Sequence, residues 1–165
     1  EESDLHFLLK HLTYMHFIKN EKVDESSIKS EPINEVMNKV PDVVVFKNDA
    51  KIAVEIETMY GTGDPILKKI VPDTINPYLA NNYRGELWLV VPNLQALMYA
   101  KQLMKIRSAY RKRDLNLEIY VADVTGKGAE CISRANDKEP KGPGLIKLID
   151  VLNFIKNGQS EECTL

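Results

Sequence analysis

Pro41-Asp42-Val43-Val44-Val45-Phe46, Lys47-Asn48-Asp49-Ala50 and Lys51-Ile52-Ala53-Val54-Glu55-Ile56-Glu57-Thr58 follow one another without a break. Two apolar runs flank a turn-forming Asn-Asp pair, which predicts a β-hairpin. Residues paired across a hairpin have numbers of constant sum. A turn centred near Asn48 and Asp49 therefore sets Asp42 opposite Glu55 or its neighbour Ile56. Side chains alternate faces along a strand, so Glu57 shares a face with Glu55. Two or three carboxylates then converge at one end of a sheet built otherwise from Val, Ile and Ala. Like charges set opposite each other are destabilising. A divalent cation relieves that repulsion, and carboxylate oxygens suit magnesium or manganese.

At these residues the chain resembles the PD-(D/E)xK nuclease superfamily, which includes restriction enzymes and Holliday-junction resolvases. Pro41-Asp42 matches the first half of the motif and Glu55-Ile56 begins the second. Glu57 stands where the family usually has its lysine. The resemblance is strongest over residues 3–92. It implies Mg2+ or Mn2+ as cofactor, with Asp42, Glu55 and the backbone carbonyl of Ile56 as ligands. It also implies a carboxylate from the first helix, for which Glu2 is the nearest match, with Asp4 behind it; Glu31 and Glu35 are weaker candidates. The family's lysine stabilises developing negative charge, a task a glutamate cannot perform. Three readings follow. A lysine projects from the next helix, Lys69 in preference to Lys68; Glu57 binds a second metal; or the site is inactive.

Composition sets the frame. The 165 residues are 44% hydrophobic and 28% charged, with a formal net charge of −2. One domain over residues 1–158, with a flexible tail over 159–165, is the expectation for this length. The chain is no bulk polycation, so nucleic-acid contact requires a local patch. The densest basic region is Lys101, Lys105, Arg107, Arg111, Lys112 and Arg113, with Lys138 and Lys141 as possible extensions. Such a cluster suits a phosphate backbone, which sets affinity without reading sequence. Cys131 and Cys163 suggest neither a disulfide framework nor a zinc site, which fits an intracellular, cytoplasmic protein. No segment approaches the roughly 20 apolar residues of a membrane span. The chain begins Glu1-Glu2 rather than with Met, as expected of a piece of a longer or processed protein.

Along the chain, residues 4–19 read as a helix with Leu5, Leu8, Leu9, Leu12 and Met15 on its apolar face. Val23 and Ile28 make residues 21–32 at best an edge strand, and 33–40 a loop or short helix. Asp64-Pro65 starts a helix, with Asp as N-cap and Pro first, which Pro72 kinks or divides before an end near Asn82. Glu86–Val91 is a strand covered on both faces. A long helix runs from Asn93 to about Arg113, and Leu115–Ala122 is another strand. Glu130–Ser133 reads as a short strand, and Leu145–Ile155 as a closing helix ended by Asn157-Gly158.

This order predicts an α/β fold: a restriction-endonuclease-like mixed β-sheet flanked by helices, with an α-β-β-β-α-β core plus an extra helix, strand and C-terminal helix. His6, His11 and His16 do not face one ligand, because a spacing of five turns a helix by about 140°; they read as surface or half-buried residues. Gly61-Thr62-Gly63 has neither a dinucleotide fingerprint nor a P-loop and reads as a connector. The leading expectation is a metal-dependent nuclease acting on DNA, as a homodimer or beside a helicase, ATPase or specificity domain. A catalytically inactive nuclease-fold module for nucleic-acid binding or assembly is the first alternative. A small-molecule or nucleotide-binding α/β domain using the Gly61–Gly63 loop is the second.

Overall fold

In the computed structural model the chain builds one mixed sheet with helices on both faces. The structure describes residues 3–31, 39–59, 64–136, 139 and 141–157. The strands are β1 (Ile28–Ser30), β2 (Val43–Lys47), β3 (Ala50–Ile56), β4 (Glu86–Val91), β5 (Asn116–Asp123) and β6 (Gly144–Lys147). They lie side by side in sequence order. β1, β2 and β3 are antiparallel, β3, β4 and β5 parallel, and β6 antiparallel to β5.

The hairpin forms where its turn residues permit. Asn48 and Asp49 both take positive φ, 48° and 63°. That is the left-handed geometry of a tight hairpin turn, which matches the twist of the flanking strands. Val43 pairs with Val54 and Lys47 with Ala50.

Alternation then divides the core in two. Val43, Val45, Ile52, Val54, Ile56, Trp88, Val90 and Tyr120 pack beneath α1 (Asp4–Met15) around Phe17. Ala53, Leu87, Leu89, Val91, Leu117 and Ile119 face the opposite layer. That layer comprises a segment wound as a π-helix (Ile66–Ile75), α2 (Asn76–Ala80), α3 (Asn93–Met98), α4 (Ala100–Arg111) and α6 (Leu148–Lys156). β4 buries both faces, as its continuous apolar run predicts.

Several local expectations are corrected. The 93–113 helix breaks at Tyr99 (φ −106°, ψ 13°) into α3 and α4, which leaves Leu97 half-exposed rather than in the core. Leu8 of α1 is likewise exposed. Residues 130–133 are not a strand but lie within α5 (Lys127–Ala135). The Asp123 carboxylate starts that helix by accepting from the backbone N–H groups of Gly126 and Ala129, at 3.1 and 2.8 Å. Leu145 belongs to β6 rather than to the last helix, because residues 144–147 pair with the open edge of β5. Cys131 lies within α5, and Cys163 lies outside the described residues. Among the described residues no helix is long and apolar enough to cross a membrane.

β6 covers only Tyr120–Asp123, so the first half of β5 is an edge. Arg107 and Arg111 occupy it. Arg107 forms a two-pronged pair with the buried Glu118 carboxylate at 2.6 and 2.8 Å, and Arg111 donates to the Leu117 carbonyl at 3.3 Å. Burial alone would raise the Glu118 pKa, but the hydrogen bonds from Arg107 and the Ile119 N–H hold it below the usual value. Charged side chains laid along an edge strand discourage its pairing with another chain.

Gly85, at the entry to β4, approaches the hairpin closely. A Cβ there would stand 2.2 Å from the Lys51 carbonyl oxygen and 2.4 Å from the Tyr83 hydroxyl. Gly85→Ala is expected to destabilise by about 2–4 kcal/mol, from steric overlap and loss of the Tyr83–Lys51 bond. At Gly142, where an added Cβ meets nothing within 4 Å, alanine should stay within about 0.5 kcal/mol of the parent. Urea unfolding of both variants checks the contrast.

Candidate metal and catalytic centre

The observed register sets Asp42, one residue before β2, opposite Glu55, continuing the Val43–Val54 pair. Its Oδ2 accepts from the Ile56 backbone N–H at 2.7 Å. Ile56 thus engages the site through its N–H, fixing Asp42 across the hairpin mouth. His6 of α1 approaches the other oxygen, Nε2 to Oδ1 3.3 Å.

Glu55 and Glu57 point into the layer of the π-wound segment, as alternation requires, and both are buried. Glu55 Oε1 accepts from the Tyr78 hydroxyl at 2.6 Å and lies 3.4 Å from Lys39 Nζ. Lys39 is tethered in turn by the main-chain carbonyl of Asp73 at 2.8 Å. Burial raises the Glu55 pKa from 4.5 to about 7; Lys39 and Tyr78 oppose the rise, and Asp42 adds to it. Glu57 accepts a hydrogen bond from the Thr74 hydroxyl, and its Oε2 is 3.6 Å from Lys69 Nζ.

The π-winding explains how one segment delivers both partners of Glu57. Residues five apart diverge by about 140° on an α-helix, but hydrogen bonds from i to i+5 bring them onto one face. Lys69 and Thr74 are five apart, as are the buried Ile70 and Ile75. Pro72 stays inside this segment instead of dividing it. An α-helical periodicity read from the sequence therefore misjudges this face.

The expected residues are placed unevenly. Asp42, Glu55, Ile56, Glu57 and Lys69 come together at one end of β2 and β3. Lys68 is exposed and makes no ion pair among the described residues. Glu2, Glu35, Gly61–Gly63 and Lys138 lie outside the described residues, and Glu31 pairs with Lys10. The histidines do diverge: His6 approaches Asp42, His11 is exposed, and His16 is fully buried rather than at the surface. In the basic cluster, Arg107 and Arg111 are held by Glu118, while Lys101, Lys105, Lys112 and Arg113 are exposed, Arg113 lying over the Tyr110 ring at 5.5 Å.

Sequence reasoning missed Lys39, Tyr78, Thr74 and His6. Lys39 lies three residues before Asp42, the one proximity visible in sequence. Tyr78 and Thr74 carry no such signal, since only the packing of Ile66–Ala80 brings them to the strand end.

Among the described residues no group of three or more His, Cys, Asp or Glu converges as an ion cage. Two carboxylates nonetheless fit magnesium, which keeps several waters and takes the rest of its ligands from substrate phosphate. The Glu55 carboxylate, buried and raised to about 7 with one lysine beside it, is the group a bound cation would stabilise. Asp42 and Glu55 are the residues that would hold it.

A folded-state pKa near 7 against 4.5 means the native state binds the extra proton between those values. Glu55 should therefore lower stability as pH rises from about 4.5 to 7, by an amount on the order of 3 kcal/mol. Glu55→Gln keeps an acceptor for Tyr78 and removes the titration. Its unfolding free energy relative to the parent should climb across that window and level off above it. A flat difference would show Glu55 ionising normally. No protein-family model matches the chain, and neither a curated protein nor a solved structure matches it.

Proposed function

We propose that this chain is a metal-dependent nuclease domain that hydrolyses DNA phosphodiester bonds on a restriction-endonuclease-like α/β fold. The observation that carries the reading is the cross-hairpin pair Asp42–Glu55, locked by the Ile56 N–H at 2.7 Å from Asp42. Bound magnesium or manganese would supply a polarised water and a sink for charge on the transferring phosphate. Asp42 and Glu55 would hold such an ion, with the Ile56 carbonyl as the third protein ligand in this reading. Tyr78 and Lys39 orient Glu55 through Oε1, and Lys39 offsets its charge.

Lys69 is the charge-stabilising residue in this reading, with Lys68 second. Its ammonium reaches the strand ends beside Glu57 while its side chain stays 59% exposed, so it can follow a phosphate entering the site. Glu57 positions Lys69. The exposed cations Lys101, Lys105, Lys112 and Arg113 extend the surface available to a DNA backbone.

The second reading is a nuclease-fold module that binds nucleic acid or assembles with a partner without cleaving. It is favoured by the donors already set on all three carboxylates: His6 and Ile56 on Asp42, Tyr78 and Lys39 on Glu55, Thr74 and Lys69 on Glu57.

Cleavage of single-stranded, duplex and branched DNA with Mg2+ or Mn2+ separates them. Under the nuclease reading Asp42→Ala and Glu55→Ala should each lose at least about 100-fold in rate, and Lys69→Met a similar factor. Binding with no cleavage by the parent protein selects the module. For the DNA surface, replacing Lys105, Lys112 and Arg113 with alanine should flatten the log–log salt dependence of duplex binding by about 0.9 per lost phosphate contact. An unchanged slope removes α4 and the turn after it from the interface.

A further inference from the structure

Leu94, Leu97 and Met98 of α3 stand 62%, 48% and 69% exposed. Their spacing of three and four sets them on one face of the helix. Ala96, Leu103 and Tyr110 of the same helical run are buried in the core, so that face is the outward one. The bend at Tyr99 does not end the line. The Tyr99 N–H donates to the Gln95 carbonyl and the Leu103 N–H to the Tyr99 carbonyl, at 3.0 and 2.9 Å, which carries the winding through. Lys101, Lys105 and Lys112 continue the outward face at the same spacing, and all three are exposed.

This face begins at the carboxylate centre. The Val90 carbonyl accepts from the Glu57 N–H at 2.9 Å, and α3 starts at Asn93, just beyond that strand end. The π-wound segment flanks it. Asp64 caps that segment by accepting from the Ile66 and Leu67 N–H groups, and its other oxygen accepts from the Gln102 amide of α4 at 3.1 Å. Gln102 lies about one helical turn past Met98. Leu67, itself 61% exposed, is thereby fastened beside the apolar end of the face. Lys69 of the same segment reaches Glu57.

A singly exposed leucine is ordinary, but four large apolar side chains at one place mark an interaction surface. Its occupant must present apolar area at the carboxylate end and negative charge along α4. A second copy docked face to face would set the lysines of α4 against their own counterparts, which is costly. An intact duplex stacks its bases inward, so it answers the lysines and leaves the leucines in water. A strand with unpaired bases offers both, phosphates along one edge and open base faces along the other.

We propose that this face holds a DNA strand with unpaired bases, its phosphates on Lys101 and Lys105 and its base faces on Leu94, Met98 and Leu67. The inference rests on the nucleic-acid reading of the carboxylate centre and adds the substrate class: single-stranded or branched DNA in preference to intact duplex.

The test measures binding in EDTA, so that cleavage plays no part. A fluorescein-labelled oligothymidylate and a blunt duplex of equal length are titrated with the protein at one salt concentration and followed by anisotropy. The strand should bind at least about fivefold tighter than the duplex. Leu94→Ser combined with Met98→Ser, both at the surface, should weaken strand binding about tenfold and duplex binding less than about twofold. Leu67→Ser, on a separate element, should act in the same direction by a smaller factor, which keeps the inference testable if the double variant does not fold. Equal affinity for strand and duplex, no binding to either, or strand binding untouched by every variant overturns the inference. So does a parent dimer that the double variant converts to monomer, since the face then docks a second copy. Cleavage with Mg2+ or Mn2+ judges the nuclease reading apart. Strand-selective binding without cleavage sinks that reading and leaves this inference standing, and cleavage without strand selectivity does the reverse.

Discussion

Burial of the Glu55 carboxylate at the end of a central strand is the constraint on which this end of the molecule depends. An ionised carboxylate away from water is costly unless it is paired and hydrogen-bonded. Glu55 meets both conditions in part, through Tyr78 and Lys39, and its pKa still rises to about 7. The residual cost is borne by the surrounding packing. Val54 and Ile56 hold the strand on one side, Ala53 on the other, and β4 pairs along its length. A strand so well fixed keeps the carboxylate at the end of the sheet, beside Tyr78 and Lys39.

The neighbouring elements are shaped by the same end of the strand. The Ile66–Ile75 segment winds as a π-helix, which sets Lys69 and Thr74 on one face and both against Glu57. Lys39 joins the chain preceding β2 to that segment through the Asp73 carbonyl and to β3 through Glu55. Three parts of the chain distant in sequence are thereby held in register by polar contacts at the mouth of the sheet. Networks of this kind rigidify a site when all their members are satisfied.

The opposite layer follows a different logic. Beneath α1 the sheet is apolar and aromatic, and the stacked rings of Phe17, Trp88 and Tyr120 lie around the buried His16. There the first helix ends in a π-turn rather than a plain cap, and the Gly144 backbone comes close enough to orient the imidazole. Both places thus use the same device: a helix wound one residue per turn wider, which aims side chains that α-helical spacing would separate.

Residues 41–58 by themselves determined the hairpin, its turn and the face shared by Asp42, Glu55 and Glu57. Those features depend on local turn chemistry and the two-residue period of a strand. The covered strand at 86–91 and the helix start at Asp64-Pro65 were legible for the same reason: each is written in consecutive residues. The split at Tyr99, the helix over 127–135 and the strand over 144–147 were not. Asp123 had to reach Gly126 and Ala129 to start the helix, and the open edge of β5 had to recruit Gly144–Lys147. The carboxylates of the site were visible, but their partners Lys39, Tyr78, Thr74 and His6 were not. Only tertiary packing decides which hydroxyl or ammonium stands beside a buried acid, because that contact joins segments whose sequences carry no shared period.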